Sequence, residues 1–495
     1  MDKSVESFVI GIDLSTQSCT VEVRDAASFA VVGRVRVPLE GTSPPVSEQD
    51  ANDWWRAVVD GFRSLSSDVD LTRVGAISVA GQCHGMVPLD AQGDPIRRVK
   101  LWNDTSTADY LAPLLSRIDE VDWSRRVGSV PTPAFTISKL AWYLAEEPYN
   151  VVHTRHVVLP HDFINFKLTG NYVTDRSEAS GTGYFNSVDN VYDFDLLDRC
   201  FDAALGWRTL FPRVLGPSSS AGVVTPAAAA ALGVPVGVPV GAGGGDQHVA
   251  ALGLGVDTGD VVFSLGTSGV VITSAEAPLE HPRTMVNCVA NAVGGWLPLV
   301  CTLNSTKVTD WAAALLGVSV QEFDRIALEV DGRAPIPAFA AYLDGERSPS
   351  LPKAAGVMTG LTGETSRSAF AAGVFRGVLA GMLRGLDELA RSGAPTSGRV
   401  IAIGGGARSP AYVRSLAELL QRPVELIEEP EATARGACLQ ALAVMGQRSV
   451  MDVVRDHRPV SARVVRPVGS ASWASIKPAY LNACRVAEAI DRRDF

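Results

Sequence analysis

A chain of 495 residues, 46% hydrophobic and 20% charged, is long enough for two or three domains, each burying its own core. Its net charge of −10 argues against a general nucleic-acid or anionic-membrane binder, because either partner would be repelled. The seven cysteines are scattered and form no CxxC pair, so they read as free thiols of a cytoplasmic protein rather than a disulfide framework or a zinc site.

Phe8–Leu14 predicts a buried strand, Ser15–Ser18 a turn and Thr20–Arg24 a returning strand, with Ala30–Val37 as a third. The apolar run at Phe8–Ile12 is too short for a signal peptide. A helix is expected over Ala51–Leu65, capped by Asp50 or Asn52, with Trp54, Val58 and Phe62 on one face. Val74–Val79 predicts another buried strand, ending at Gly81. From Val99 to Val214 aromatics and charges interleave, as in an insertion that lines a substrate site. Residues 217–245 are rich in Pro, Ala and Gly, and Pro226, Pro235 and Pro239 break this stretch as a membrane helix. The main boundary is placed here, giving domains 1–245 and 246–495. A hairpin, Val261–Leu265 and Val270–Thr273, follows; then come a helix at Ser368–Ala390, a strand at Val400–Ile403 and a helix at Pro410–Leu420. The last fifty residues read as a helix–loop tail. DLSTQSCTVEV (13–23) and SLGTSGVVIT (264–273) share one plan of strand, Thr-bearing turn and returning strand, which suggests two similar domains.

No GxxxxGK[ST] run is present, so a P-loop is excluded. Three other turns could hold phosphates. GIDLSTQS (11–18) sets Asp13 at a strand end beside Ser15, Thr16 and Gln17, where backbone N–H groups can meet phosphate and the carboxylate can hold Mg²⁺ through water. LGTSG (265–269) offers Gly266 and Thr267, and IGGGARS (403–409) offers Gly404, Gly405, Gly406, Ala407 and Arg408 between a strand and a helix. Each alone is equally an ordinary turn. GGGD (243–246) presents Asp246, which either accepts a hydroxyl proton or simply caps the following helix. AGQCHG (80–85) ends a strand with Cys83 and His84, and LWND brings Trp102, Asn103 and Asp104 together; both suit a sugar, and both have structural readings.

With FTISKLAW (135–142), LPHDFI (159–164), GGGDQ (243–247), YLDGERSP (342–349) and GVMTGL (356–361), these segments resemble, in order and spacing, the FGGY carbohydrate kinases; GQxHG, LWND and SLGTSG resemble the xylulokinase branch. The resemblance implies an α/β fold of two ribonuclease-H-like domains flanking a central cleft, the first on the sugar side and the second on the ATP side. It implies a kinase using ATP and Mg²⁺ on a sugar hydroxyl, with Asp246 as proton acceptor and Asp13 as a metal-linked carboxylate. Cys83, His84, Trp102, Asn103, Asp104 and Gln247 would face the sugar. Ser15, Thr16, Gln17, Gly266 and Thr267 would meet phosphates, and Gly404 to Arg408 the adenosine end. D-xylulose is the expected acceptor; ribulose, gluconate or a hexulose is the alternative within the chemistry, and a non-catalytic actin-like ATP binder the alternative outside it. A homodimer is compatible with the family. Cys83, Gln247, His248, Ala369 and Arg376 depart from the family pattern.

Overall fold

The computed structural model describes residues 7–201, 206–279, 285–331 and 334–492. The chain forms two compact units. One comprises Met1–Val256, Val289–Trp296 and Glu429–Pro459; the other comprises Asp257–Cys288, Leu297–Glu428 and Val460–Phe495.

In the first unit the strands lie in the order Ser220–Val223, Pro239–Gly241, Val74–Gly81, Phe8–Leu14, Ser18–Asp25, Val31–Pro38. Phe8–Leu14 runs parallel to Val74–Gly81 and antiparallel to Ser18–Asp25. Its sequence, FVIGIDL, is nearly continuous in apolar residues because helices cover both faces of this sheet. Helix Ala51–Leu65 covers one face. Asp50 accepts from the Asn52 N–H as its cap, and Trp54, Val58 and Phe62 are fully buried. Each of those large side chains contributes about 1.5–3 kcal/mol of burial. Helix Ala432–Met445 covers the other face, packed on Phe8–Leu14 and on helix Asp246–Gly253. Within residues 99–214, helices including Ala108–Arg117 and Thr136–Glu146 gather a separate apolar cluster around Trp123, Phe135, Tyr143 and Tyr184.

The second sheet has the order Arg463–Val465, Val424–Leu426, Val400–Ile403, Val261–Leu265, Gly269–Thr273, Trp296–Thr302, Asn287–Ala290. The directions repeat those of the first sheet strand for strand: antiparallel, parallel, parallel, antiparallel, antiparallel. The short echo between 13–23 and 264–273 therefore marks the same hairpin in two sheets of one topology. Among the described residues one helix, Arg367–Arg391, is long and apolar enough to cross a membrane. It is the core helix of the second unit, with Val374, Val378, Leu379, Met382 and Leu383 buried. Two of the departures from the family pattern lie on it: Ala369 is buried, and Arg376 sits 3.8 Å from Glu418.

The division differs from a cut at 245/246. Helix Asp246–Gly253 belongs to the first unit, because it packs on Ala432–Met445. The last fifty residues form helices Val450–Asp456 and Trp473–Arg492, with strand Arg463–Val465 between them paired to Val424–Leu426. Helix Ala432–Met445 is apolar on nearly every side, and that composition buries it between sheet and helix in the first unit, away from its sequence neighbours.

Candidate active site

Strand register brings the first unit's candidate residues to one edge. Asp13 pairs with Ala80, Gly244 with Ala80, and Gly245 with Gly81, all parallel. Asp13, the Gln82–Gly85 loop and Asp246 thus leave the sheet at the carboxyl ends of adjacent strands, where open α/β sheets bind ligands. Asp246 is the first residue of its helix. Gly245 is the N-cap, and no side chain caps that end. The Asp246 Oδ1 atom accepts from the Gln247 N–H at 2.7 Å and from the Cys83 thiol at 3.3 Å, while Oδ2 takes neither bond. Burial raises the pKa of this carboxyl, and those two bonds oppose the rise.

Asp13 is pushed up to about 8, first by burial, then by the negative charges of Asp246 and Glu431, with Arg36 opposing. Its Oδ1 is buried without a hydrogen-bond partner. An oxygen-only, over-negative, unsatisfied carboxylate fits a hard divalent cation such as Mg²⁺. Glu431, in the segment that returns to this unit, is a site neighbour the sequence reading missed; nothing near it in sequence marks it.

Cys83 and His84 are joined by a second missed residue, Glu178, which is fully buried. Glu178 accepts from the backbone N–H of His84, and burial drives its pKa well up. Asp175 caps the short helix Arg176–Ala179 by accepting from the N–H groups of Ser177 and Glu178. Asp175 and Glu178 form a D-x-x-E pattern visible in sequence, but that pattern signals a helix start and not a site. His84 has φ 67°, in the left-handed region, and its ring stacks on Phe135 at 5.2 Å. Burial and the charges of Glu178 and Asp246 push the Cys83 thiol up. Gln247 is exposed and its side chain has no protein partner among the described residues, whereas His248 turns inward and is buried.

The Asp13 turn is wired to the tryptophan. Trp102 Nε1–H donates to Thr16 Oγ1 at 3.0 Å, and Thr16 Oγ1–H donates to Gln82 Oε1 at 3.0 Å. Gln82 Nε2 donates to Gln49 Oε1 at 3.1 Å, and Gln49 Nε2 donates to the Thr16 carbonyl at 2.7 Å. The Thr16 hydroxyl is committed to this network, so a phosphate contact here falls to backbone N–H groups. Ser15 Oγ donates to the Ser18 carbonyl, and Gln17 is exposed. Trp102 keeps 44% exposure, and Asn103 Oδ1 is buried without a partner.

Asp104 does not join the sugar-facing set. It is 0% exposed, and its oxygens accept from Lys100 Nζ at 3.2 Å, the Ser47 N–H at 2.9 Å and both Ser106 donors. Its acceptor capacity is spent on holding its own loop. Asp104→Ala is expected to lower stability by about 1–3 kcal/mol by leaving the buried Ser47 N–H without its acceptor, Lys100 keeping Glu48 at 3.0 Å, with sugar KM unchanged. Denaturant unfolding and steady-state kinetics read both, and a raised KM at parental stability would return Asp104 to the substrate.

In the second unit the two remaining turns also converge. Val261–Leu265 and Val400–Ile403 are parallel neighbours with Ser264 opposite Ile403, so Gly266–Thr267 and Gly404–Arg408 leave the sheet side by side. The Gly266 carbonyl accepts from Thr306 N–H at 3.0 Å and Thr306 Oγ1 at 2.9 Å, which fixes the turn on the start of helix Thr306–Leu315. A Cβ at Gly404 would meet the Leu265 carbonyl oxygen at 2.7 Å, whereas one at Gly405 would meet nothing within 4 Å. Thr267, Gly405 and Arg408 are exposed, and Ala407 is half-buried.

Residues 8–253 match the N-terminal domain, and residues 261–445 the C-terminal domain, of the FGGY family of carbohydrate kinases. The chain is 37% identical over 464 residues to a xylulose kinase of Streptomyces rubiginosus, covering 93% of each. It is 38% identical over 466 residues to a xylulose kinase of Streptomyces coelicolor, again covering 93% of each. Among solved structures, a xylulose kinase from Bifidobacterium adolescentis superposes with a TM-score of 0.86 at 32% identity, covering 97% of this chain and 100% of that one.

Proposed function

The chain belongs to the FGGY family of carbohydrate kinases, and from that membership we propose that it transfers the γ-phosphate of MgATP to the 5-hydroxyl of D-xylulose. The observation that carries the reading is the convergence of Asp13, Cys83–His84 and Asp246 on one sheet edge, together with the xylulose kinases among its relatives. Asp246 accepts the hydroxyl proton as the sugar oxygen attacks phosphorus. Its oriented Oδ1 and unengaged Oδ2 suit that task, and burial makes it a stronger base than an ordinary aspartate. Asp13 would hold Mg²⁺, which neutralises phosphate charge when bound.

His84, Cys83, Gln247, Asn103 and the exposed face of Trp102 contact the sugar. The backbone N–H groups of Thr16 and Gln17 meet phosphate, Ser15 holding the turn through its N–H on the Ser18 carbonyl, and Gly266, Thr267 and Gly404 to Arg408 hold the nucleotide in the second unit. The proposed setting is the cytoplasm, supported by seven free cysteines, with a homodimer compatible with the reading.

Cys83 and Gln247 shape the acceptor end, so acceptor choice is the part to test. With D-xylulose and MgATP, ³¹P NMR should find a new phosphate monoester coupled to the C5 protons. A monoester at another carbon, or none, would overturn the assignment. His84→Ala is expected to raise the sugar KM about 10-fold, the worth of one hydrogen bond, with the ATP KM unchanged. An unchanged sugar KM would make His84 a packing residue.

A further inference from the structure

The loop after strand Val74–Gly81 and the short helix Arg176–Ala179 together carry a donor set that sugar binding does not require. Cys83 Sγ, a His84 ring nitrogen and a Glu178 carboxylate oxygen all lie within 4.8 Å of one another. Cys83 Sγ also stands 3.3 Å from Asp246 Oδ1. Thiolate, imidazole and carboxylate are the ligands of a borderline-soft cation, whereas Mg²⁺ takes oxygens alone. His84 Nδ1 and Glu178 Oε1 are 3.9 Å apart, and neighbouring ligand atoms around tetrahedral Zn²⁺ stand about 3.3–3.7 Å apart given its bond lengths. This pair needs a contraction of only a few tenths of an ångström, and the thiol lies within 4.8 Å of both.

The frame around these groups is tight. Phe135 stacks on the His84 ring, and a Cβ at Gly181 would fall 2.0 Å from His84 Cε1. A Cβ at Gly245 would meet Glu178 Oε2 at 2.4 Å and Cys83 Sγ at 2.6 Å, so the glycine is what lets the groups converge. Glu178 Oε2 is buried without a hydrogen-bond partner, a cost that a bound cation would remove.

We propose that Cys83, His84 and Glu178 bind a thiophilic divalent cation of the Zn²⁺ class as a three-residue set with an open fourth position, and that the bound ion excludes the sugar. On binding, the sulfur–metal bond forms and the thiol proton leaves to solvent. Exclusion of the sugar rests on the reading above, in which Cys83 and His84 contact it and Asp246 takes its proton. Cation binding itself does not.

The test is a Cd²⁺ titration of the whole chain without nucleotide or sugar, following the ultraviolet thiolate-to-metal band. One equivalent should bind, Cys83→Ser should abolish the band, His84→Ala should weaken affinity at least about 10-fold, and Asp13→Asn should leave the band intact. Thermal unfolding of Cys83→Ser confirms that the variant is folded, and D-xylulose at saturation should displace the ion. No band, or a band that survives Cys83→Ser, overturns the site. A band unaffected by D-xylulose, in an enzyme that turns this sugar over, overturns the exclusion of sugar. Absence of any sugar-dependent turnover would strike the proposed function and leave the Cd²⁺ titration standing.

Discussion

Asp246→Asn is expected to lower kcat for sugar phosphorylation by about 10²–10⁴-fold, the usual worth of a positioned general base. ATP affinity should stay within a few-fold. The amide is nearly isosteric and retains an oxygen for the bonds that Oδ1 now accepts from the Gln247 N–H and the Cys83 thiol. What it cannot do is take a proton. The helix start is also unharmed, because Gly245 and not Asp246 is the cap. A folded variant with little turnover would thus separate proton transfer from architecture, whereas turnover within a few-fold of the parent would remove Asp246 from the mechanism.

Gly436→Ala is expected to destabilise the protein by about 3 kcal/mol or more, beyond the usual cost of one extra methyl in a core. A Cβ at Gly436 would lie 1.9 Å from the Val249 carbonyl oxygen, and its counterpart at Gly253 would lie 1.8 Å from that of Ala432. Helices Ala432–Met445 and Asp246–Gly253 therefore touch backbone to backbone, with no side chain that can yield. A methyl there must part the helices, and the second of them carries Asp246 in its first turn. Both the denaturation midpoint and kcat should fall. Gly405→Ala is the contrast: its Cβ would meet nothing within 4 Å, so stability should hold. Equal stability losses at the two positions would refute the close-contact explanation.

Local elements were legible in the sequence where period and punctuation agreed. Helix Ala51–Leu65, strand Val261–Leu265, strand Val400–Ile403 and helix Pro410–Leu420 stand at the expected residues, each bounded by a turn or a cap. The three turns and GGGD are each ordinary strand-end punctuation taken alone, and became legible as a site only through their order and spacing together. What long-range packing decides was not legible. Glu178 and Glu431 reach the site from segments far from Asp13 and Cys83 in the chain, and their local sequence is that of any solvated helix start. Asp104 misled for the complementary reason. A Trp-Asn-Asp run suits a sugar, but the partner that spends the carboxylate is Lys100, whose burial no sequence period announces. Thr16 likewise reads as a phosphate donor until Trp102 and Gln82 are found on either side of its hydroxyl.

The most direct test of the account is the rate of ADP release from MgATP with D-xylulose, compared with D-ribulose, gluconate, a hexulose and glycerol. The account predicts acceptor-dependent release, with kcat/KM highest for D-xylulose and near-zero turnover without a sugar. A higher kcat/KM for another acceptor would contradict the substrate assignment and attribute Cys83 and Gln247 to a different specificity. Equal ADP release with and without every acceptor would contradict the kinase reading itself.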